Sequence, residues 1–88
     1  MTDNYSVEYE PEAISDLEKL TQAARERIIA NINWLANNFD QITPQPLTAD
    51  LSGFFKLRVG DYRVIYEFNW EERLIFIDRI GHRREVYK

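Results

Sequence analysis

Cysteine is absent from the 88 residues, so neither a disulfide framework nor a cysteine-based metal site is available. A single histidine, His82, likewise excludes a metal site built from several imidazoles. No apolar stretch approaches the ~20 residues that a membrane-spanning helix requires. The first residues, MTDNYSVEYEPEA, are polar and acidic, unlike the basic start and apolar run of a secretory leader. These absences predict a cytoplasmic protein that needs no metal, cofactor or membrane. Gly and Pro are also missing between residues 12 and 38, so nothing in that segment forbids helix.

What is present is an ordinary globular composition, with 44% hydrophobic and 14% aromatic residues. The length predicts one domain over residues 1–88. Net charge is −4, which argues against a nucleic-acid partner until its distribution is considered. Residues 1–50 hold three Lys/Arg against nine acids, a balance of −6, whereas residues 51–88 hold eight against six, a balance of +2. An anion would have to bind the C-terminal half.

Tyr5 to Tyr9 alternates apolar and polar residues and predicts a first strand. Pro11 suits the first turn of a helix in which Ala13, Ile14, Leu17 and Leu20 recur at helical spacing. Thr21 is a candidate N-cap for a second helix with Ala24, Ile28, Ile32, Leu35 and Phe39 on one stripe, widened by Ile29 and Ala36. One long helix is the alternative. Pro44 and Pro46 mark a loop, and everything beyond it reads as strand: 54–59, 62–68, Leu74 to Ile80, and a short last strand from Glu85 to Tyr87. The expected fold is α+β, two N-terminal helices on a small, mostly antiparallel sheet in the order β-α-α-β-β-β with a short terminal β.

The Gly60-Asp61 pair predicts a type II′ hairpin turn, which pairs Val59 with Tyr62 and so Arg58 with Arg63. Phe55, Leu57, Val59, Tyr62, Val64 and Tyr66 then share the face toward the helices, and Lys56, Arg58 and Arg63 share the other. Like charges directly opposite are unfavourable unless something anionic lies between them. A solvated outer face, or surface ion pairs to Glu67, Asp78 or Glu85, would also account for them. The segment RIGHRREVYK adds Arg79, His82, Arg83, Arg84, Tyr87 and Lys88, and Gly81 is expected to turn it back beside the hairpin. Cations, an imidazole and a phenol on one side of a sheet suit phosphodiester cleavage: cations stabilise the pentacoordinate transition state, aromatics stack a base, and His82 is of a type that transfers protons at cellular pH.

Tyr9 and Pro11 ahead of AISDLEKL, Leu51-Ser52-Gly53, the run LRVGDYRVIYE and the end IGHRREVY together resemble the RelE/ParE superfamily of toxin–antitoxin toxins over nearly the whole chain. The resemblance implies either a RelE-like, ribosome-dependent mRNA interferase or a ParE-like poison of DNA gyrase with the same fold. For the first, it implies that mRNA in the ribosomal A site is cut by 2′-hydroxyl attack, without metal. Lys56 and Arg63 would stabilise the phosphorane, Tyr87 would orient or stack the nucleotide, and Arg83 would contact the phosphate. A guanidinium is a poor acid, so an electrostatic role suits Arg83 better than proton donation. Arg58, Arg79, Arg84 and Phe54 are expected to line the substrate path, with His82 among the catalytic candidates. Phe54 stands where the archetype carries a second lysine; His82 with Glu85 could substitute, which leaves the base open. A cognate antitoxin and the ribosome are the partners implied. A non-enzymatic domain that binds an acidic protein segment through the same cations is the third possibility.

Overall fold

The computed structural model describes residues 4–47 and 53–82. Strand β1 (Ser6–Tyr9) leads into α1 (Pro11–Glu18), with Pro11 at the helix start, where its missing N–H costs nothing. Helix α2 (Gln22–Asn37) follows directly, so the two-helix reading holds over the single long helix. The break is enforced at Thr21, whose hydroxyl accepts the Ala24 N–H at 3.2 Å as an N-cap. A single 3₁₀ turn (Phe39–Gln41) ends this part of the chain.

The remaining elements are β2 (Gln45–Pro46), β3 (Phe55–Val59), β4 (Tyr62–Asn69) and β5 (Leu74–His82). They form one five-stranded sheet in the order β1-β5-β4-β3-β2. Only the β1–β5 pair is parallel; the chain returns to it through the two helices and the meander. Two residues around Pro46 form β2, in what the sequence marks as loop. Proline is tolerated there because β2 is the sheet edge and donates no ladder bond outward.

The hairpin register agrees with expectation, with Val59 opposite Tyr62 and Arg58 opposite Arg63. Gly60 alone in the turn has positive φ (60°), as a type II′ turn requires. Val64, Tyr66, Ile75, Ile77 and Ile80 of the sheet and Ala13, Ile28, Ile32 and Leu35 of the helices bury one another as the core. Each buried Val, Leu or Ile side chain contributes roughly 1.5–3 kcal/mol through removal from water, so the helices are held by this face rather than by propensity. No helix among the described residues is long and apolar enough to cross a membrane.

Two features differ from expectation and decide where side chains go. Gly81 is no turn: it lies within β5 opposite Arg63, and β5 continues to His82. A β-bulge shifts the β4–β5 register, so that Ile65 faces Arg79 while the next residue, Tyr66, already faces Ile77. Asp78 and Arg79 together oppose one residue, a geometry that re-aims side chains. The short strand expected at Glu85 to Tyr87 lies outside the described residues.

Candidate functional site

Strand alternation carries Lys56 and Arg58 of β3 and Arg63 of β4 onto the sheet face away from the core. Among the described residues, none of the three has a carboxylate within ion-pairing distance; the ion pairs present are Arg73–Asp40 and Arg79–Asp16. Arg58 is exposed, while Arg63 is half-buried, with Nε and Nη1 shielded from water and without a hydrogen-bond partner. Shielded donors of a cation without an acceptor are unfavourable, and an anionic oxygen would relieve them.

Of the acids that could have neutralised this trio, Glu67 and Asp78 form no ion pair with it, and Glu85 lies outside the described residues. Glu67 and Asp78 turn to each other instead. Burial, the hydrogen bond with Glu67 and the charges of Glu67, Glu10 and Glu12 push the Asp78 carboxyl up to about 7. The Asp78 carboxyl therefore stays largely protonated until near neutrality, and neither it nor Glu67 forms an ion pair with the trio.

Arg79 and His82 are placed elsewhere. From the bulge, Arg79 reaches α1, where its Nε donates to Asp16 Oδ2 at 2.9 Å and its Nη2 to Oδ1 at 3.4 Å. Asp16 is almost buried and also accepts the Ile80 backbone N–H at 2.9 Å. Burial alone would raise its pKa, but the bonds from Arg79 and Ile80 and the charges of Arg79 and Lys19 outweigh that and hold it below the usual carboxylate range. Arg79 thus clasps helix to sheet, in place of its expected position along a substrate path. His82 pairs with Tyr62, a residue of the helix-side face, and their rings meet edge-on at 6.2 Å. It lines a cleft of about 350 Å³ with Asp16, Lys19 and Arg79. The imidazole does not join Lys56 and Arg63, because strand parity carries it to the opposite face. Arg83, Arg84 and Tyr87 lie outside the described residues. Phe54, half-buried, precedes β3, and its carbonyl accepts the Leu47 N–H at 3.0 Å.

At this edge of the sheet opens a cleft of about 400 Å³ whose lining includes Lys56, Arg58 and Arg63, the core-face residues Leu57 and Tyr66, and Trp34 of α2. Trp34, 55% exposed on α2, was not singled out by the sequence, although an indole off the buried Ile28–Ile32–Leu35 stripe is a legible signal. Among the described residues, no group of three or more acidic or imidazole side chains is placed to hold a metal ion.

A family described as the ParE toxin of type II toxin–antitoxin systems matches residues 7–87. Toxin RelG of Mycobacterium tuberculosis is 31% identical over 90 residues, covering 96% of this chain and 97% of the relative. The toxin–antitoxin complex RelBE2 of the same organism contains a chain that superposes with a TM-score of 0.82 at 28% identity, over 97% of each chain. A chromosomal ParDE system from P. aeruginosa superposes at 0.73 with 16% identity, covering 92% of this chain and 98% of its own, a likeness of fold alone. By its matched residues, its fold and its likeness to RelG, the chain belongs to the RelE/ParE superfamily of type II toxin–antitoxin toxins.

Proposed function

We propose that this toxin is a ribosome-dependent endoribonuclease that cuts mRNA in the A site, acts in the cytoplasm without metal, and is neutralised by a cognate antitoxin. The observation that carries the proposal is the trio Lys56, Arg58 and Arg63, crowded on one sheet face with no acid partner among the described residues. Likeness to RelG and to the toxin of a RelBE complex supports it, and the complex supports the antitoxin as partner.

In the proposed reaction the 2′-oxygen of one nucleotide attacks the adjacent phosphorus while its proton passes to a base. The bond from phosphorus to the 5′-oxygen breaks, and that oxygen takes up a proton. The products are a 2′,3′-cyclic phosphate and a 5′-hydroxyl, so no water or redox partner is consumed. Lys56 and Arg63 stabilise the charge that grows on the non-bridging oxygens, an effect for which removal of one donor costs roughly 10²–10³ in rate. By the resemblance, Arg83 contacts the phosphate and Tyr87 holds the nucleotide. With net charge −4 the free protein binds RNA weakly, and the ribosome supplies much of the positioning. Incubation with translating ribosomes followed by primer extension tests this: cuts confined to A-site codons are expected, and their absence with folded protein would overturn it.

A second reading has its own support. The matching family is described by ParE, and Phe54 stands where the nuclease archetype carries a lysine. On that reading the chain poisons gyrase by binding it, and a supercoiling assay responds while ribosomal mRNA stays whole.

A further inference from the structure

We propose that the cleft between α2 and the open edge of β3 is a nucleotide subsite, in which Trp34 stacks one base while Arg58 and Arg63 hold an adjoining phosphate. The proposal rests on the nuclease reading above and says where its substrate lies.

Pairing between β2 and β3 stops at Lys56, so among the described residues β3 has no strand neighbour on that side from Leu57 onward. The cleft sits at this gap and, at about 400 Å³, has the volume of a small-molecule site. Its lining combines two chemistries. The cations of the hairpin contribute to it, among them Arg63, whose shielded Nε and Nη1 lack an acceptor. Trp34 also lines it, a large aromatic left 55% exposed although the helix buries its neighbours Leu35 and Ala36 almost fully. A nucleotide asks for that combination: a flat apolar surface for the base and guanidinium donors for the phosphate within one nucleotide's reach. An acidic peptide would satisfy the arginines but makes no use of the indole face, so charge complementarity and the aromatic together favour RNA.

The chain has two tryptophans, so Trp70→Phe leaves Trp34 as the sole indole reporter. Titration of that variant with a short single-stranded oligoribonucleotide at low ionic strength should quench its fluorescence saturably. Arg63→Ala should weaken the titration about tenfold or more, and an abasic oligomer should fail to quench. No quenching, equal quenching by the abasic oligomer, or indifference to Arg63→Ala would overturn the subsite.

On translating ribosomes Trp34→Leu should lower cleavage roughly five- to hundredfold, and Trp34→Phe should stay within about threefold of the parent. If the parent cuts and Trp34→Leu cuts equally at the same codons, the subsite falls while the nuclease reading stands. If the parent does not cut, the nuclease reading falls and the fluorescence titration decides the subsite alone. A Trp34→Leu protein that loses affinity for its antitoxin while keeping both RNA readouts would assign the cleft to a protein and overturn the proposal. Melting curves of each variant separate these losses from unfolding.

Discussion

Replacing Asp16 with alanine removes one acceptor on which three donors converge: the Ile80 N–H at 2.9 Å, Arg79 Nε at 2.9 Å and Arg79 Nη2 at 3.4 Å. The backbone N–H is left buried without a partner, at a cost of about 1–3 kcal/mol. The Arg79 side chain is half exposed and can turn to water, so its share is discounted to about 1 kcal/mol or less. Relief from burying a carboxylate offsets part of this. The expected net loss is ~2–3 kcal/mol, which for a chain of this length corresponds to a fall in Tm of roughly 10–20 °C. Arg79→Ala should cost less, about 1 kcal/mol, because its half-exposed side chain can turn to water and Asp16 keeps the Ile80 N–H. The double variant should fall short of the sum, since the two side chains form one unit. Thermal melts followed by circular dichroism measure all three. Cleavage per folded molecule should survive Arg79→Ala. A Tm within ~3 °C of the parent for Asp16→Ala, or an Arg79→Ala protein with unchanged Tm and abolished cleavage, would refute the clasp and restore Arg79 to the substrate path.

The two perturbed carboxyls act on opposite limbs of the pH profile. Asp16, held below the usual range, contributes stability that is present at neutral pH and lost in acid, so Asp16→Asn should flatten the acid limb in melts between pH 2 and 5, a window set by reference values near ~3.9. Asp78, raised to about 7, contributes stability that is present in acid and lost as pH rises toward neutrality. A three-unit shift would convert to ~4 kcal/mol, but partial exposure reduces it, and Asp78→Asn should stabilise by about 1–2 kcal/mol at pH 8 and little at pH 5. Equal effects at both pH values would contradict the raised Asp78 carboxyl. Arg58→Gln should raise stability by ~0.2–1 kcal/mol, with a smaller gain in high salt, because it ends a like-charge pairing; destabilisation would show the charge to be structural. Gly60→Ala should cost about 1–2 kcal/mol from backbone strain at φ 60°. Its new Cβ would lie 3.1 Å from the Arg27 guanidinium, the far end of a flexible side chain, so adding Arg27→Ala should leave the cost unchanged.

The hairpin was legible because two independent signals agreed: the period-two pattern from Phe55 to Tyr66, and a Gly-Asp pair that fits one turn type. The helix boundary was legible in Thr21, a residue that competes for backbone N–H groups and so stops one helix and starts another. Neither β2 nor the bulge has such a signature. Two residues carry no period, and beside the bulge Asp16, far away in sequence, accepts from both Arg79 and the Ile80 N–H. That tertiary contact reassigned Arg79. His82 was misplaced because Gly81, read as a turn, continues the strand, and one more residue of strand fixes which face a side chain meets. The cationic trio survived because its placement depends only on the hairpin register.

The central claim is the proposal that RNA phosphate is the partner of Lys56, Arg58 and Arg63, which have no acid partner among the described residues, and primer extension on translating ribosomes tests it most directly. Purified toxin should leave discrete A-site cuts bearing 2′,3′-cyclic phosphate ends, and Arg63→Ala, with an unchanged or higher Tm, should reduce them about a hundredfold or more. Intact mRNA in the presence of folded parent toxin, with gyrase supercoiling blocked instead, would contradict it.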